Sequence, residues 1–134
     1  MKLVVDTNIL FSFFWKSSVT RKLLLNSTIV LISPEKALYE LQKYSKEIME
    51  KTDINLEEFN NTLKELKEVL KFVSKKEYIS FLEKAEQISP DKYDADFFAL
   101  CLKYNCFLWS NDEILKNQET INVLTTKEII NLLY

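Results

Sequence analysis

Leu3-Val4-Val5-Asp6-Thr7-Asn8-Ile9-Leu10 stands near the start of the chain, and its reading decides the fold. Leu3–Val5 is a short β-branched run, which predicts a buried strand. An acid, Asp6, follows at once. Apolar residues then recur at helical spacing, at Ile9, Leu10, Phe13 and Phe14, and predict a helix over Thr7–Trp15. A buried strand that passes through an acid into a helix is the opening of an α/β unit.

The pattern repeats outward from there. Arg21–Leu25 predicts a second short helix, ending near Asn26-Ser27, and Thr28–Ile32 a second buried strand. Ser33-Pro34 is a helix start signal, with Ser as N-cap and Pro at the first helical position. Ala37, Leu38, Leu41, Tyr44 and Ile48 then share one helical face. Asn55 caps another helix, along which Phe59, Leu63, Leu66 and Leu70 recur. Lys71–Val73 is a weak third strand, and Ser74 to about Ala85 is helical. Ser89-Pro90 repeats the start signal, and the helix over 91–104 is apolar almost all round, as suits a helix packed on several sides. Cys106–Trp109 is a buried strand running to Ser110-Asn111-Asp112, Ile121–Leu124 is a last strand, and Thr126 begins a terminal helix. The lysine- and glutamate-rich stretch Lys43–Lys76 supplies solvated helix faces. Alternating strands and helices predict one α/β domain over 1–134, with a parallel sheet covered on both faces.

Composition narrows the chemistry. Of 134 residues 47% are apolar, enough for a core. No apolar run approaches the ~20 residues that span a bilayer. The N-terminus shows no basic segment leading into an apolar one, so no secretory signal is predicted and a cytoplasmic location is expected. The chain has no histidine, which removes Ser-His-Asp and Cys-His catalysis and histidine-ligated zinc. It has no glycine, which removes the P-loop and the dinucleotide fingerprint. Turns that need positive φ fall to Asn or Asp, with Asn26 and Asn105 as the candidates. Cys101 and Cys106 read as buried thiols in a reducing compartment, a disulfide or a metal pair being the alternatives. The net charge of −2 argues against a nucleic-acid packaging role and leaves room for an enzyme with a local basic rim.

What remains is carboxylate chemistry. Ligands of open parallel sheets bind outside the carboxyl ends of the strands. Asp6 lies directly past the first strand, and Asp112 three residues past Trp109. Glu40 falls beside Ala37 and Tyr44, on the shoulder of an apolar stripe. Asp94 lies one turn into the apolar helix, with Asp91 facing the same way and Asp96 turned elsewhere. Each acid has a plainer reading. Asp6 and Asp112 suit helix caps, contributing about 1 kcal/mol each. Glu40 suits solvent or a nearby lysine, and Asp91 suits a first-turn acid favoured by the helix dipole. Gathered in one crevice, such acids repel and call for a cation. A histidine-free oxygen site suits Mg²⁺ or Mn²⁺. Such an ion acidifies water and stabilises phosphate charge with no protein nucleophile. Lys16 and Arg21 are candidate phosphate contacts.

With these residues in order, the chain resembles PIN domains. Val4-Val5-Asp6-Thr7-Asn8-Ile9-Leu10 is similar to the family's opening strand and turn. Pro34 to Glu40-Leu41 resembles the helix with its second acid. Asp91-Lys92-Tyr93-Asp94-Ala95-Asp96-Phe97-Phe98-Ala99-Leu100 resembles the helix with the third, and Trp109-Ser110-Asn111-Asp112-Glu113-Ile114-Leu115 the strand end with the fourth. The resemblance implies a three-layer α/β/α sandwich around about five parallel strands in the order 3-2-1-4-5. It implies Mg²⁺- or Mn²⁺-dependent endoribonuclease activity, with Asp6, Glu40, Asp94 and Asp112 as the metal-binding, catalytic acids. Asn8 and Ser110 would orient waters or acids from behind, with Asp91 assisting. Many small prokaryotic relatives are toxins of VapBC-type toxin–antitoxin pairs, often dimers whose groove an antitoxin peptide blocks, so an antitoxin partner and a homodimer are further expectations. Relatives often carry glycine where this chain has Asn105. A haloacid-dehalogenase-type phosphotransferase is disfavoured because it needs an acid at Asn8, and a receiver domain because Asp6 stands alone. The rival is a catalytically inactive PIN-like module that binds RNA or a protein.

Overall fold

The computed structural model describes residues 1–16 and 18–134. Five strands form one parallel sheet: β1 (Lys2–Val5), β2 (Val30–Pro34), β3 (Lys71–Val73), β4 (Phe107–Trp109) and β5 (Val123–Leu124), in the order β3-β2-β1-β4-β5. This is the predicted order. β1 is central, pairing Leu3 with Leu31 on one side and with Phe107 on the other. Leu3, Val4 and Val5 are fully buried, as a strand covered on both faces requires.

The helices are α1 (Thr7–Phe11), α2 (Val19–Leu24), α3 (Glu35–Lys43), α4 (Ser45–Thr52), α5 (Leu56–Val69), α6 (Lys75–Tyr78), α7 (Leu82–Ile88), α8 (Ala95–Tyr104) and α9 (Thr126–Leu133). Side-chain chemistry fixes several starts. Ser18 accepts from the Arg21 amide at the head of α2, and Asn55–Glu58 and Thr125–Glu128 form capping boxes on α5 and α9. α8 packs on β1, β2 and β4 and buries Phe97 through Cys101. Chain order runs outward from β1 to β2 and β3, then crosses to β4 on the other side of β1. Right-handed crossovers therefore place the helices after β1 and β2 on one face and α8 on the opposite face. The reversal opens a crevice at the carboxyl ends of β1 and β4.

The elements depart from the sequence expectation in instructive places. β2 runs on through Ser33 and Pro34, which pair with Phe72 and Val73. Ser33 therefore does not cap α3; it is buried and its hydroxyl donates to the Val5 carbonyl at 2.8 Å. Ser89 likewise caps nothing. It ends α7, while Asp91 caps a 3₁₀ turn over Lys92–Asp94 that precedes α8. The stripe from Ala37 to Ile48 belongs to two helices, broken at Tyr44 (φ −98°, ψ 19°). The predicted helix from Ser74 is divided into α6, a 3₁₀ turn and α7. Positive φ occurs at Asn105 (50°) as expected, but the second site is Asp53 (55°). Asn26 shapes its turn with its side chain instead, accepting from the Thr28 amide at 2.9 Å.

Both cysteines are free thiols, Cys101 buried and Cys106 half-buried. The left-handed residue Asn105 lets the Cys106 amide bond back to the Cys101 carbonyl at 3.2 Å, closing a Schellman-type helix end. The two thiols meet across that motif, the usual place for an apolar contact.

Candidate active site

Asp6 stands where β1 turns into α1, in the N-cap position, yet its carboxylate makes no cap hydrogen bond. It is 7% exposed and accepts instead from the Ser110 hydroxyl at 2.7 Å. Ser110, fully buried at the end of β4, also accepts from the Asp112 amide at 3.1 Å. One hydroxyl thus ties the first acid to the backbone of the fourth. Asp112 does serve as a cap, because its Oδ1 accepts from the Ile114 amide at 3.1 Å. One carboxylate oxygen is used there, and its charge still raises both Asp6 and Asp94.

Glu40 projects from α3 and accepts from the Thr7 hydroxyl at 3.0 Å. It is half-buried, and among the described residues no lysine pairs with it. Asp94 lies at the junction of the 3₁₀ turn with α8. Burial pushes its carboxyl up to about 6, the charges of Asp6 and Asp91 add to the rise, and Lys36 opposes it. Burial also raises Asp6, against the pull of its Ser110 hydrogen bond. Both shifts describe negative charge gathered in a poorly hydrated place without enough compensation.

Asp6, Glu40 and Asp94 line one cavity of about 310 Å³, together with Thr7, Asn8, Glu47 and the rings of Phe11, Tyr44, Tyr93 and Phe97. Asp112 does not line it; Ser110 ties the Asp112 backbone amide to the Asp6 carboxylate. Asp91 does not line it; its Oδ1 caps the Tyr93 amide at 2.9 Å. Among the described residues no three acids stand close enough to form a ready-made metal cluster.

Two expected phosphate contacts are engaged elsewhere. Arg21 donates to both oxygens of Glu65 at 3.1 Å and to the Phe13 carbonyl, and its guanidinium lies over the Phe13 ring. Lys16 pairs with Glu58 at 3.2 Å. The cation near the acids is Lys36. Its ammonium donates to the Tyr93 carbonyl and stands 3.9 Å from Asp96, which accepts from the buried Tyr78 hydroxyl at 2.6 Å. Lys36 therefore staples α3 to the turn carrying Asp94. The sequence held one signal for it: Lys36 and Glu40 are four apart on a helix and share a face. Thr7 gave no signal beyond its place next to Asp6.

A family model described as a PIN domain matches residues 4–131. The chain belongs to the PIN domain family. Two solved structures share the PIN fold seen here. One is a chain of VapBC2 from Rickettsia felis, in a crystal structure bound to a DNA fragment from its promoter. It is 17% identical, with TM-score 0.67, and the match covers 93% of this chain and 98% of that one. The other is PAE2754 from Pyrobaculum aerophilum, 12% identical, with TM-score 0.65, covering 99% of this chain and 89% of that one. At these identities the likeness is one of fold. No curated protein matches the PIN domain described here in sequence. No described helix is long and apolar enough to cross a membrane.

Proposed function

We propose that this PIN domain is a divalent-metal-dependent endoribonuclease. The observation that carries the proposal is the meeting of Asp6, Glu40 and Asp94 around one cavity, with Asp112 tied to Asp6 through Ser110. These acids come from four separate parts of the chain, and a core alone gives no reason to bring them together.

The donor set fits Mg²⁺ or Mn²⁺. Carboxylate, amide and hydroxyl oxygens surround the cavity; the charge of Asp6 raises the cost of ionising Asp94, and that of Asp112 raises the cost for both. Asp6, Asp94 and Asp112 would hold the ion, and Glu40 would complete or tune the site. When bound, the ion supplies a Lewis acid for water and for the charge developing on phosphate. Ser110 keeps the Asp6 carboxylate turned toward the cavity, and Thr7 does the same for Glu40. Lys36 holds the Asp94 turn against α3. Asn8, at the cavity wall, orients water. Hydrolysis by this route leaves 5′-phosphate and 3′-hydroxyl ends.

The likeness in fold to a VapBC2 chain supports a place in a toxin–antitoxin pair. On that reading the protein is cytoplasmic, acts on RNA and is held in check by an antitoxin protein; a homodimer is the proposed assembly. The rival is a PIN module that binds without cutting. Incubation of the purified protein with varied RNAs in Mn²⁺ separates the two. Cleavage that EDTA stops and Asp6→Asn abolishes is expected. Intact RNA from folded wild-type protein, or products ending in 2′,3′-cyclic phosphate, rejects the proposed chemistry.

A further inference from the structure

The acid cavity continues past Tyr44. A shallow notch of about 50 Å³ adjoins it, and Phe11, Tyr44 and Glu47 wall both. Trp15 and Lys51 line the notch alone. Its rings are partly open to solvent, as are those of Tyr39, Tyr93 and Tyr134 elsewhere on the surface. Phe13, Phe14 and Trp109 are almost completely buried, whereas Trp15 is 46% exposed and Tyr44 38%. Glu47 is exposed, and among the described residues neither Glu47 nor Lys51 has an ion-pair partner.

Exposed rings at the mouth of a polar cavity offer a π-face to a planar ligand. Every nucleobase has such a face, and stacking on aromatic side chains is how unpaired strands are commonly held. A carboxylate beside the rings accepts from an exocyclic amino group. A lysine beside them attracts the backbone phosphate. We propose that the notch is a base subsite, in which one unpaired nucleobase stacks on Trp15 and Tyr44 with its amino edge toward Glu47, next to the phosphodiester at the acids. The inference rests on the ribonuclease reading of the adjoining cavity. That continuity selects the occupant, because a strand whose phosphate sits at the acids passes the notch with its neighbouring base. The notch is also too small for a folded segment. A base within a duplex has its faces stacked and its amino edge paired, so the subsite selects single-stranded RNA. Uracil carries two carbonyl oxygens and no amino group, so Glu47 disfavours it against cytosine.

The molecule carries its own reporter. Of its two tryptophans, Trp109 is fully buried and Trp15 is half exposed. Stopped-flow mixing with an oligocytidylate hexamer in Mg²⁺ is expected to quench tryptophan emission before turnover, more strongly than an oligouridylate hexamer does. Trp15→Phe is expected to remove the signal. Trp15→Ala is expected to raise KM for single-stranded RNA roughly tenfold, the scale of one lost stacking contact. Glu47→Gln, which both donates and accepts, is expected to erase the preference for cytosine. Wild-type cleavage with no Trp15 signal, or a KM unmoved in Trp15→Ala, overturns the subsite and leaves the acid site standing. Absence of cleavage by folded wild-type protein overturns the reading of the acids, and the subsite with it.

Discussion

Ser110 does the most with the fewest atoms. It is fully buried, donates to Asp6 and accepts from the amide of Asp112. Ser110→Ala leaves the buried Asp6 carboxylate without its hydroxyl partner. The loss of such a bond to a charged group is expected to cost about 1–3 kcal/mol of stability. Mn²⁺ affinity, read by titration calorimetry, is expected to fall with it; unchanged stability and affinity would show that the hydroxyl neither holds nor aims the acid. Asn105 makes a purely conformational prediction. Its φ of 50° lies in the left-handed region. Asn105→Val is expected to lower stability by about 1–2 kcal/mol, and Asn105→Gly by far less. Equal melting temperatures for the two variants would contradict this.

At the scale of elements, the terminal helix α9 is held by charge as well as packing. Glu128 sits in the capping box with Thr125, and Lys116 reaches it at 2.5 Å. The Lys116 bond, with the Thr125 amide and hydroxyl bonds behind it, draws the Glu128 carboxyl down to about 2, against an ordinary value of 4.5. A carboxyl lowered in the folded state stabilises fully above its unfolded value, and the contribution disappears as pH falls through the folded one. Protection factors of the α9 amides, which are corrected for the intrinsic pH dependence of exchange, are therefore expected to fall between about pH 4.5 and pH 2. In Glu128→Gln that step disappears, and its persistence would place the acid sensitivity elsewhere. The break between α3 and α4 matters for a different reason: it falls at Tyr44, which with Phe11 and Glu47 walls both the acid cavity and the aromatic notch.

For the whole molecule, the acids set a conflict that the fold sustains. Burial and the charges of Asp6, Asp91 and Asp112 raise the ionisation cost of Asp94, and Lys36 only partly offsets it. A cation bound to the folded state adds stability in proportion to RT ln(1 + [L]/Kd). Mn²⁺ at about 100 times Kd is expected to contribute ~2.7 kcal/mol, which shifts the melting temperature of a domain this size by several degrees. Asp94→Asn is expected to raise the metal-free melting temperature at neutral pH and to abolish the Mn²⁺ shift. A metal response retained in that variant would remove Asp94 from the ligand set.

Strand and helix periodicity, the lack of histidine and glycine, and acids at strand ends are local properties, so the sequence alone carried the α/β class and drew attention to Asp6, Glu40, Asp94 and Asp112. Its errors were equally local. Ser33 and Ser89 look like caps because a cap is a matter of a few residues, but Ser33 is drawn into β2 by pairing with a strand about forty positions away. Tertiary structure alone decided who meets whom. Asp6 meets Ser110 and Glu40 meets Thr7 because parallel strands put distant carboxyl ends side by side. Arg21 is held at Glu65, while Lys36 is drawn to the acids. Such partners are set by distances through space, which spacing along a chain does not encode.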